Sequence, residues 1–441
     1  MKEPEPAARR QRSFRHAALT TYATSLVMAS LSLVNVFITS RVLGPSGRGE
    51  LVFLTTIAML TSTLASLGVE EATANIAGIE PGRRRALGGN TVLLSFVFGI
   101  AAIGVLAALM AVFPGVAGDS DRLLLWLTLG SIPMLILLFY LQFLVRADYG
   151  FAATNAAMLV GPVLNLTVNG LLAALGLITV ETAIITWIAA QALATLLLVW
   201  YTRTRLAGFG KPDLSLAAES IGFGVQAHTG RVMKAGNYRL DQWLLGAIAG
   251  PRELGLYSVA VAWSEALFYL PEALAMVLRP DAVRATPRDA ARQTAVVFRM
   301  AILATVPIGL VMVVAAPFLC VTLLGDEFHS SVTQLRVLVP GALGMVALKL
   351  LANVLTAQRK PMLANAAIAI AFAATIALDL LLIPNHGGLG AAVASTIAYL
   401  AGGLAVVWIF VRTLDIRLAD LVPRISDIGR LSLRLRSPAS P

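Results

Sequence analysis

Apolar runs of about the length needed to cross a lipid bilayer follow one another along this sequence. A membrane-spanning helix needs about 20 consecutive apolar residues, and twelve such runs can be distinguished. They lie near residues 17–40, 51–69, 88–113, 123–145, 150–175, 182–201, 217–248, 254–278, 295–318, 333–356, 362–383 and 389–411. Charged residues make up 13% of the chain and the mean hydropathy is +0.80, whereas soluble domains are about 25% charged. The runs are too long for the alternating strands of a β-barrel. The sequence therefore predicts an all-α polytopic membrane protein with about twelve transmembrane helices.

Basic residues fall mostly on one side of the predicted membrane. If the chain crosses the bilayer at every run, 25 of the 34 Lys and Arg residues lie on the side of the N-terminus and 5 lie on the other side. The remaining four lie inside apolar runs. Cytoplasmic segments carry the excess of Lys and Arg, so both termini are expected in the cytoplasm. The net charge of +10 thus reflects topology and does not indicate nucleic-acid binding.

The sequence offers little for a metal, cofactor or catalytic centre. Cys320 is the single cysteine, so an internal disulfide and a cysteine metal site are excluded. The four histidines have no metal-ligand spacing, and the sequence contains neither a phosphate-binding glycine loop nor a Gly-x-Ser-x-Gly elbow. We expect no metal, no cofactor and no enzymatic activity. The polar first sixteen residues precede a run long enough to span, so no cleavable secretion signal is expected.

Two segments share a pattern of glycine and proline. "LGPSGRGEL" at 43–51 and "AGPRELGLY" at 249–257 each end one apolar run and open the next. Glycine-proline interrupts a helix, and proline is tolerated in the first turn of the helix that follows. Three pairs correspond at a constant offset of 206 residues, namely Gly44 with Gly250, Pro45 with Pro251, and Gly49 with Gly255.

This repeat predicts two six-helix lobes in the same orientation, as many transporters have. The lobes are expected at 17–206 and 207–412, between a basic N-terminal tail at 1–16 and a basic C-terminal tail at 413–441. The C-terminal tail could lie on the membrane as an amphipathic helix or form a disordered end. Chance similarity of short loops is the alternative to a repeat.

The hairpin segments "SRVLGPSGRGEL" and "LDQWLLGAIAGPRELGLYSVA", with the run "PEALAMVLRP" at 271–280, carry a family resemblance. Over about residues 20–412 the chain resembles the polysaccharide exporters and O-antigen flippases of the multidrug/oligosaccharidyl-lipid/polysaccharide exporter superfamily. Arg48 and Glu50 depart from the family pattern, in which apolar or aromatic residues are commoner.

The resemblance implies transport of a polyprenyl-diphosphate-linked oligosaccharide across the bacterial cytoplasmic membrane, for lipopolysaccharide or other surface polysaccharide synthesis. It implies two lobes that alternate access to a central cavity. Expected partners are this lipid-linked glycan, anionic membrane lipids and a polysaccharide polymerase or other assembly protein.

The stretch "HTGRVMKAGNYRLD" at 228–241 places several charges in an apolar run. A charge at mid-bilayer costs about 2.5–3.5 kcal/mol by insertion scales, so these side chains should face a wet cavity or a partner. At about 100° per residue the polar residues share one helix face. We expect a diphosphate clamp formed by Arg231, Lys234, Arg239 and Lys349. Ion pairs with Asp241 or Glu265, exit of 217–239 from the membrane, and snorkelling of Lys349 to the surface are the alternatives.

Further polar residues in the apolar runs divide into two groups. Sugar hydroxyls are expected to meet Asn35, Asn165, Asn169, His228 and Tyr238, although polar side chains inside membranes more often bond helix to helix. Coupling to H⁺ or Na⁺, or ion pairing alone, is expected of Asp241, Glu265 and Glu272, because a buried carboxylate needs a proton or a cation.

Residues near the predicted cytoplasmic surface complete the expectations. Glu70 and Glu71 are expected at a solvated helix end. Arg83, Arg84 and Arg85 are expected near anionic lipid headgroups, each worth about 1 kcal/mol.

Four other functions compete with glycan export. A multidrug exporter of the same superfamily should have an acidic cavity for cationic drugs, and the first apolar run lacks the cations expected for a lipid II flippase. A membrane glycan polymerase or ligase would need a larger outer domain than the short outer loops near 113–122 and 325–332 provide. A purely structural membrane protein would leave the intramembrane cations unexplained.

Overall fold

The computed structural model of the protein describes residues 7–206, 208–424 and 427. Over these residues the chain is helical, with short 3-10 turns and one π-helical turn and without a strand. The helices are α1 Ala7–Ala65, α2 Val69–Ile79, α3 Arg84–Val112, α4 Arg122–Gly130, α5 Ile132–Ala147, α6 Phe151–Ala174, α7 Val180–Arg205, α8 Leu214–Ala266, α9 Tyr269–Arg284, α10 Pro287–Pro317, α11 His329–Leu338, α12 Gly341–Ala357 and α13 Pro361–Leu414. The predicted all-α membrane architecture is confirmed.

The lengths of these helices match a membrane environment. In the described part of the chain, eight helical segments are long and apolar enough to cross a bilayer, or nine if the bent pair α11 and α12 is one span. Three of the segments exceed 45 residues and contain a backbone break, so each is longer than one crossing requires. The total of twelve crossings remains a prediction.

Glycine makes the breaks in the long helices. Gly44 in α1 has φ 66° and ψ −179°, and Gly250 in α8 has φ 84° and ψ 174°. This region of backbone space is accessible essentially to glycine alone. Pro45 and Pro251 follow at once and start the next helical segment. The two hairpins of the predicted repeat therefore have the same local conformation.

A third break lies in α13. Gly387 has φ 52°, and the next amide, Gly388 N–H, donates a 2.8 Å hydrogen bond to Glu253 Oε2. Glu253 lies two residues after Pro251, so a side chain beside the α8 break satisfies an amide at the α13 break. Interrupted helices leave backbone groups that need such partners.

Arg48 and Glu50, which depart from the family pattern, form hydrogen bonds that stabilise the first hairpin. Arg48 Nη1 donates to Thr39 Oγ1 at 3.2 Å, which ties together the two sides of the Gly44 break. Glu50 Oε1 accepts a 2.9 Å bond from the Asp121 amide at the start of α4. Their role in the structure is local packing.

Capping side chains fix several helix starts. Asp121 accepts from the Leu124 amide at the start of α4, Thr179 accepts from Thr182 at the start of α7, and Thr286 accepts from Asp289 at the start of α10. Such caps satisfy amides that have no partner inside the helix.

The chain divides into two compact units, Met1–Val232 and Met233–Pro441. The sequence places residues 207–232 in the second lobe, whereas the structure packs the described part of this segment within the first unit. Asn90 of α3 exchanges two 2.9 Å hydrogen bonds with the backbone of Asp213. Leu216 is fully buried in a leucine-rich core of that unit with Leu87 and Leu198.

Large apolar side chains cover the outside of both units. Phe96 and Ile100 of α3 are 51% and 63% exposed, and Leu310 and Val314 of α10 are 61% and 78% exposed. A soluble protein rarely exposes so continuous an apolar surface. These faces are suited to lipid, as expected of a multi-pass membrane protein.

Candidate functional site

The polar stretch of α8 contributes to two separate centres, one in each compact unit. His228 and Arg231 bond to residues of the first unit, whereas Lys234 and Tyr238 line a cavity of the second. The sequence predicts a single cationic face for all of them.

In the first unit, one face of α8 packs on the turn between α1 and α2. The turn contains two left-handed residues, Leu67 with φ 49° and Gly68 with φ 72°. Gly224 of α8 lies so close that a Cβ atom there would be 2.7 Å from the Gly68 carbonyl carbon and the Leu67 oxygen. One helical turn further, His228 Nε2 lies 3.0 Å from the Leu64 oxygen. Because the two backbones touch, the next α8 residues on this face are brought to α2.

Arg231 is the next residue on that face, and it binds two neighbouring carboxylates. Its Nη1 donates to Glu70 Oε1 at 2.5 Å and its Nη2 to Glu71 Oε1 at 2.8 Å. The guanidinium also lies 5.0 Å from the centre of the Phe143 ring, within cation–π range. Glu70 is fully buried, which corrects the expectation of a solvated helix end, and the Glu71 side chain is 44% exposed.

In the second unit, α8, α9, α12 and α13 enclose a cavity of about 340 Å³. Its wall carries three basic residues and one acidic residue, which are Lys234, Arg279, Lys349 and Glu272. It also carries three amides and two phenols, which are Asn237, Asn353, Asn365, Tyr238 and Tyr399. The cavity is therefore cationic and rich in hydrogen-bonding groups.

Lys349 is the most enclosed of these cations. Its Nζ lies 2.8 Å from Glu272 Oε2, and its side chain is only 12% exposed. The ammonium also lies 5.4 Å and 5.8 Å from the ring centres of Tyr238 and Phe268. The side chain thus points into an aromatic, acidic environment instead of snorkelling to the surface.

Asn237 fixes one wall of the cavity. Its side-chain amide donates to the Ile368 oxygen at 3.1 Å and accepts from Thr375 Oγ1 at 3.3 Å. Its own carbonyl accepts from the Tyr399 hydroxyl at 3.0 Å. These bonds join α8 to α13 and hold the polar surface in a defined position.

The remaining predicted cation does not line this cavity. Arg239 donates to both carboxylate oxygens of Glu265, at 2.8 Å and 3.4 Å. Asp241 instead accepts from the Tyr257 hydroxyl at 2.5 Å and from Ser395 at 3.3 Å, and it is buried. Each carboxylate proposed for coupling therefore has its own partners. Glu265 binds Arg239, Asp241 binds Tyr257 and Ser395, and Glu272 binds Lys349.

A further buried acid was not selected from the sequence. The exposed fraction of Asp379 in α13 is 0%. Neither of its carboxylate oxygens has a hydrogen-bond partner among the described residues. The sequence signal was present, because Asp379 is a single aspartate in the apolar run 362–383.

Two of the predicted sugar-binding asparagines bond to each other. Asn169 Nδ2 of α6 donates to Asn35 Oδ1 of α1 at 3.0 Å. Asn165 donates to the Gly161 oxygen of its own helix at 2.9 Å. These contacts are helix-to-helix and within-helix hydrogen bonds, the alternative use that the sequence left open.

The amides that do line the cavity were missed. Asn353 and Asn365 lie in predicted apolar runs. Amides in long apolar runs were a usable signal, because polar groups inside membranes need partners.

The basic cluster at the start of α3 is partly neutralised. Arg83 pairs with Glu219 at 2.7 Å and Arg84 pairs with Asp148. Arg85 and Lys211 line an open cavity of about 650 Å³. Arg85 and Lys211 make the surface of this cavity basic, which suits it to a lipid headgroup.

The described part of the C-terminal tail is attached to α10. Arg299 Nε lies 2.7 Å from Asp427 Oδ2, and Arg299 Nη1 donates to the Asp420 oxygen at 2.5 Å. Both members of the ion pair are buried. The amphipathic helix predicted for the tail at 413–441 is not tested, because residues 425–426 and 428–441 lie outside the described residues, as do residues 1–6 of the N-terminal tail.

A protein family and several solved structures match this chain. The family model described as "Polysaccharide biosynthesis protein" matches residues 38–333. No curated protein sequence matches the chain.

Solved transporter structures have the same fold. The lipid II flippase MurJ, in an inward closed conformation, superposes with a TM-score of 0.76 at 12% identity, covering 94% of this chain and 90% of that protein. An inward-facing multidrug resistance MATE family transporter of the MOP superfamily gives 0.70 at 13% identity, covering 90% and 99%. The MATE transporter VcmN of Vibrio cholerae gives 0.58 at 16% identity, covering 92% and 98%.

Proposed function

Since the chain belongs to the polysaccharide biosynthesis protein family, we propose that it is a flippase for a polyprenyl-diphosphate-linked oligosaccharide. It would move this lipid across the bacterial cytoplasmic membrane by alternating access, with both termini in the cytoplasm and without enzymatic chemistry. The MurJ and MATE fold supports the transport mechanism.

The observation that carries the proposal is the charge of the second-unit cavity. Three basic side chains and one acidic side chain line it, so it suits an anion better than a cationic drug. In a low-dielectric site, charge-assisted hydrogen bonds to phosphate are stronger than neutral ones. Lys234 and Lys349 would bind the diphosphate, and Arg279 would add a planar donor group for its oxygens.

The other wall groups support binding of the glycan. Asn353 and Asn365 offer amide donors and acceptors to sugar hydroxyls, and Asn237 holds the wall through its bonds to α13. Tyr238 and Tyr399 provide ring faces. Specific ligand sites typically combine apolar surface with a few placed polar groups in this way.

Two predicted clamp residues take different roles in the proposal. Arg231 and Arg239 pair with carboxylates away from the cavity, so the diphosphate clamp is assigned to Lys234 and Lys349, which line it. Asn35 and Asn169 are assigned to helix packing because they bond to each other.

Coupling to H⁺ or Na⁺ is the remaining element of the proposal. Asp241 is the predicted coupling residue best suited to this role, because it is buried and has no basic partner in its hydrogen bonds. Asp379 is also buried and has no hydrogen-bond partner among the described residues. Its carboxyl group would therefore need a proton or a bound cation.

The test uses purified protein in vesicles that contain a fluorescent polyprenyl-diphosphate oligosaccharide. A membrane-impermeant quencher then reports how much label crosses to the outer leaflet. The double variant Lys234→Ala with Lys349→Ala should flip the lipid at least about tenfold more slowly, a loss of about 1.4 kcal/mol. Lys360→Ala is the matched control, because Lys360 bonds the Thr413 oxygen outside the cavity. A wild-type rate in the double variant would refute the clamp.

Two alternative substrates are tested in the same vesicles. The likeness to MATE transporters favours cationic drugs, and the likeness to MurJ favours lipid II. Faster transport of an organic cation than of the glycan lipid would support the first. Transport of lipid II with no transport of other glycan lipids would support the second.

A further inference from the structure

The Arg231 cluster of the first unit has an imbalance of charge. Two carboxylates, Glu70 and Glu71, share one guanidinium, which leaves one negative charge if both acids are ionised. A neutral His228 does not compensate this negative charge. Its Nε2 donates to the Leu64 oxygen, and its Nδ1 is buried without a partner among the described residues. Uncompensated charge is costly where water is excluded.

Burial distinguishes the two acids. The Glu71 side chain is 44% exposed, so solvent can stabilise its charge, whereas Glu70 is 0% exposed. Glu70 Oε1 accepts bonds from Arg231 and from Ser66 Oγ at 3.3 Å. Glu70 Oε2 is buried and has no donor among the described residues. One carboxylate oxygen is thus paired, and the other has no hydrogen-bond partner in the part of the chain that the structure describes.

Glu70 is surrounded by groups from four elements. Arg231 reaches it from α8, Glu71 is adjacent on α2, and Ser66 lies in the turn after α1. From α5, Tyr140 donates its hydroxyl to the Ser66 oxygen at 2.8 Å. Burial raises the pKa of the Glu70 carboxyl above its ordinary value, and the Arg231 cation opposes that rise.

We propose that Glu70 is a proton-binding site and that its proton controls how firmly α2 holds Arg231. When Glu70 is ionised, Arg231 binds two carboxylates and the face of Gly224, His228 and Arg231 is fixed to the α1–α2 turn. When Glu70 Oε2 takes a proton, Arg231 keeps one ionised partner, the exposed Glu71. Proton binding therefore weakens the attachment of this part of α8. Within the proposed function, this inference adds a site at which a proton gradient can act on the transporter.

The direct test is an infrared pH titration of the purified protein in vesicles without substrate. A protonated carboxyl group has a carbonyl band distinct from that of a carboxylate. The wild-type protein should show a carboxyl band that Glu70→Gln lacks and that persists to pH values above the ordinary range of glutamate. Glu71→Gln is the matched control and should keep that band.

Arg231→Gln provides a second variant that leaves the acid in place. Loss of the guanidinium should shift the midpoint of the Glu70 band to higher pH, because the cation that favours the ionised form is gone.

Two results would overturn the proposal. One is a wild-type spectrum identical to that of folded Glu70→Gln at every pH. The other is a Glu70 midpoint at or below the ordinary range that Arg231→Gln does not change. Because the titration contains no glycan lipid, its failure is separate from failure of the flipping assay. Flipping that fails while the band titrates as expected would count against the proposed substrate alone.

Discussion

Lys349 Nζ and Glu272 Oε2 are 2.8 Å apart on the wall of the second-unit cavity. The two side chains differ in exposure, because Lys349 is 12% exposed and Glu272 is 54% exposed. The carboxylate therefore occupies the accessible side of the most enclosed cation. A diphosphate that binds Lys349 would have to compete with the Glu272 carboxylate.

Glu272→Gln should increase the affinity of the cavity for a diphosphate. Removal of the competing charge leaves Lys349 available to phosphate oxygens, and a tenfold lower Kd for inorganic pyrophosphate corresponds to about 1.4 kcal/mol. Isothermal titration of the detergent-solubilised protein measures the effect. Glu265→Gln is the control, since Glu265 pairs with Arg239 and does not line the cavity. Equal affinities in Glu272→Gln and wild type would show that Glu272 does not compete with the ligand.

Gly250→Ala should destabilise the protein by about 1–3 kcal/mol, because alanine is strained at φ 84° and ψ 174°. The same change at Gly44 should have a similar effect, since its backbone conformation is the same. Thermal unfolding followed by size-exclusion chromatography measures the loss. Gly222→Ala is a matched control, because a Cβ atom there meets nothing within 4 Å. A wild-type Tm for Gly250→Ala would show that the break does not depend on glycine.

Asn35 and Asn169 should couple in stability and leave substrate binding unchanged. A double-mutant cycle with alanine should give a coupling free energy of about 0.6 kcal/mol, the average for hydrogen bonds between membrane helices. Chemical unfolding in mild detergent gives the four stabilities, and flipping of the glycan lipid gives the activity. Loss of flipping with additive stabilities would instead place the two asparagines at the substrate.

Arg299→Ala should destabilise the second unit by about 3–5 kcal/mol, because it leaves the buried Asp427 without its cation. The double variant with Asp427→Ala should be more stable than Arg299→Ala, since no uncompensated charge then remains. Thermal unfolding of the three variants tests this order. If Arg299→Ala, Asp427→Ala and the double variant all lose the same free energy of unfolding, the destabilisation arises from lost packing alone.

The helices and their breaks were predictable because each depends on local sequence. A bilayer requires long apolar runs, and the Gly-Pro pairs at Gly44 and Gly250 mark interruptions by local geometry. The contacts of individual charges depend on residues far away in the chain. Arg231 binds Glu70, 161 residues earlier, whereas Lys234, only one turn further along α8, lines a cavity of the other unit.

The angular position of a residue around its helix predicts the direction in which its side chain points. It does not predict which residues from other helices lie in that direction. Arg231 and Lys234 are about 60° apart around α8 by this measure. The contact between Gly224 and Gly68 brings one of them to α2. Small residues gave little indication of this close approach, because glycine is common throughout the chain.

The bond between Glu253 and the Gly388 amide has a consequence for how the protein is made. Glu253 precedes its partner by 135 residues, so a chain emerging from the ribosome contains the first hairpin of the second unit long before the amide that binds it. Until α13 is inserted, that carboxylate must be satisfied by water at the membrane surface. The later-synthesised α13 therefore supplies the amide that binds a carboxylate of α8. A chain truncated before Gly387 would leave Glu253 without this partner, however well its other helices insert.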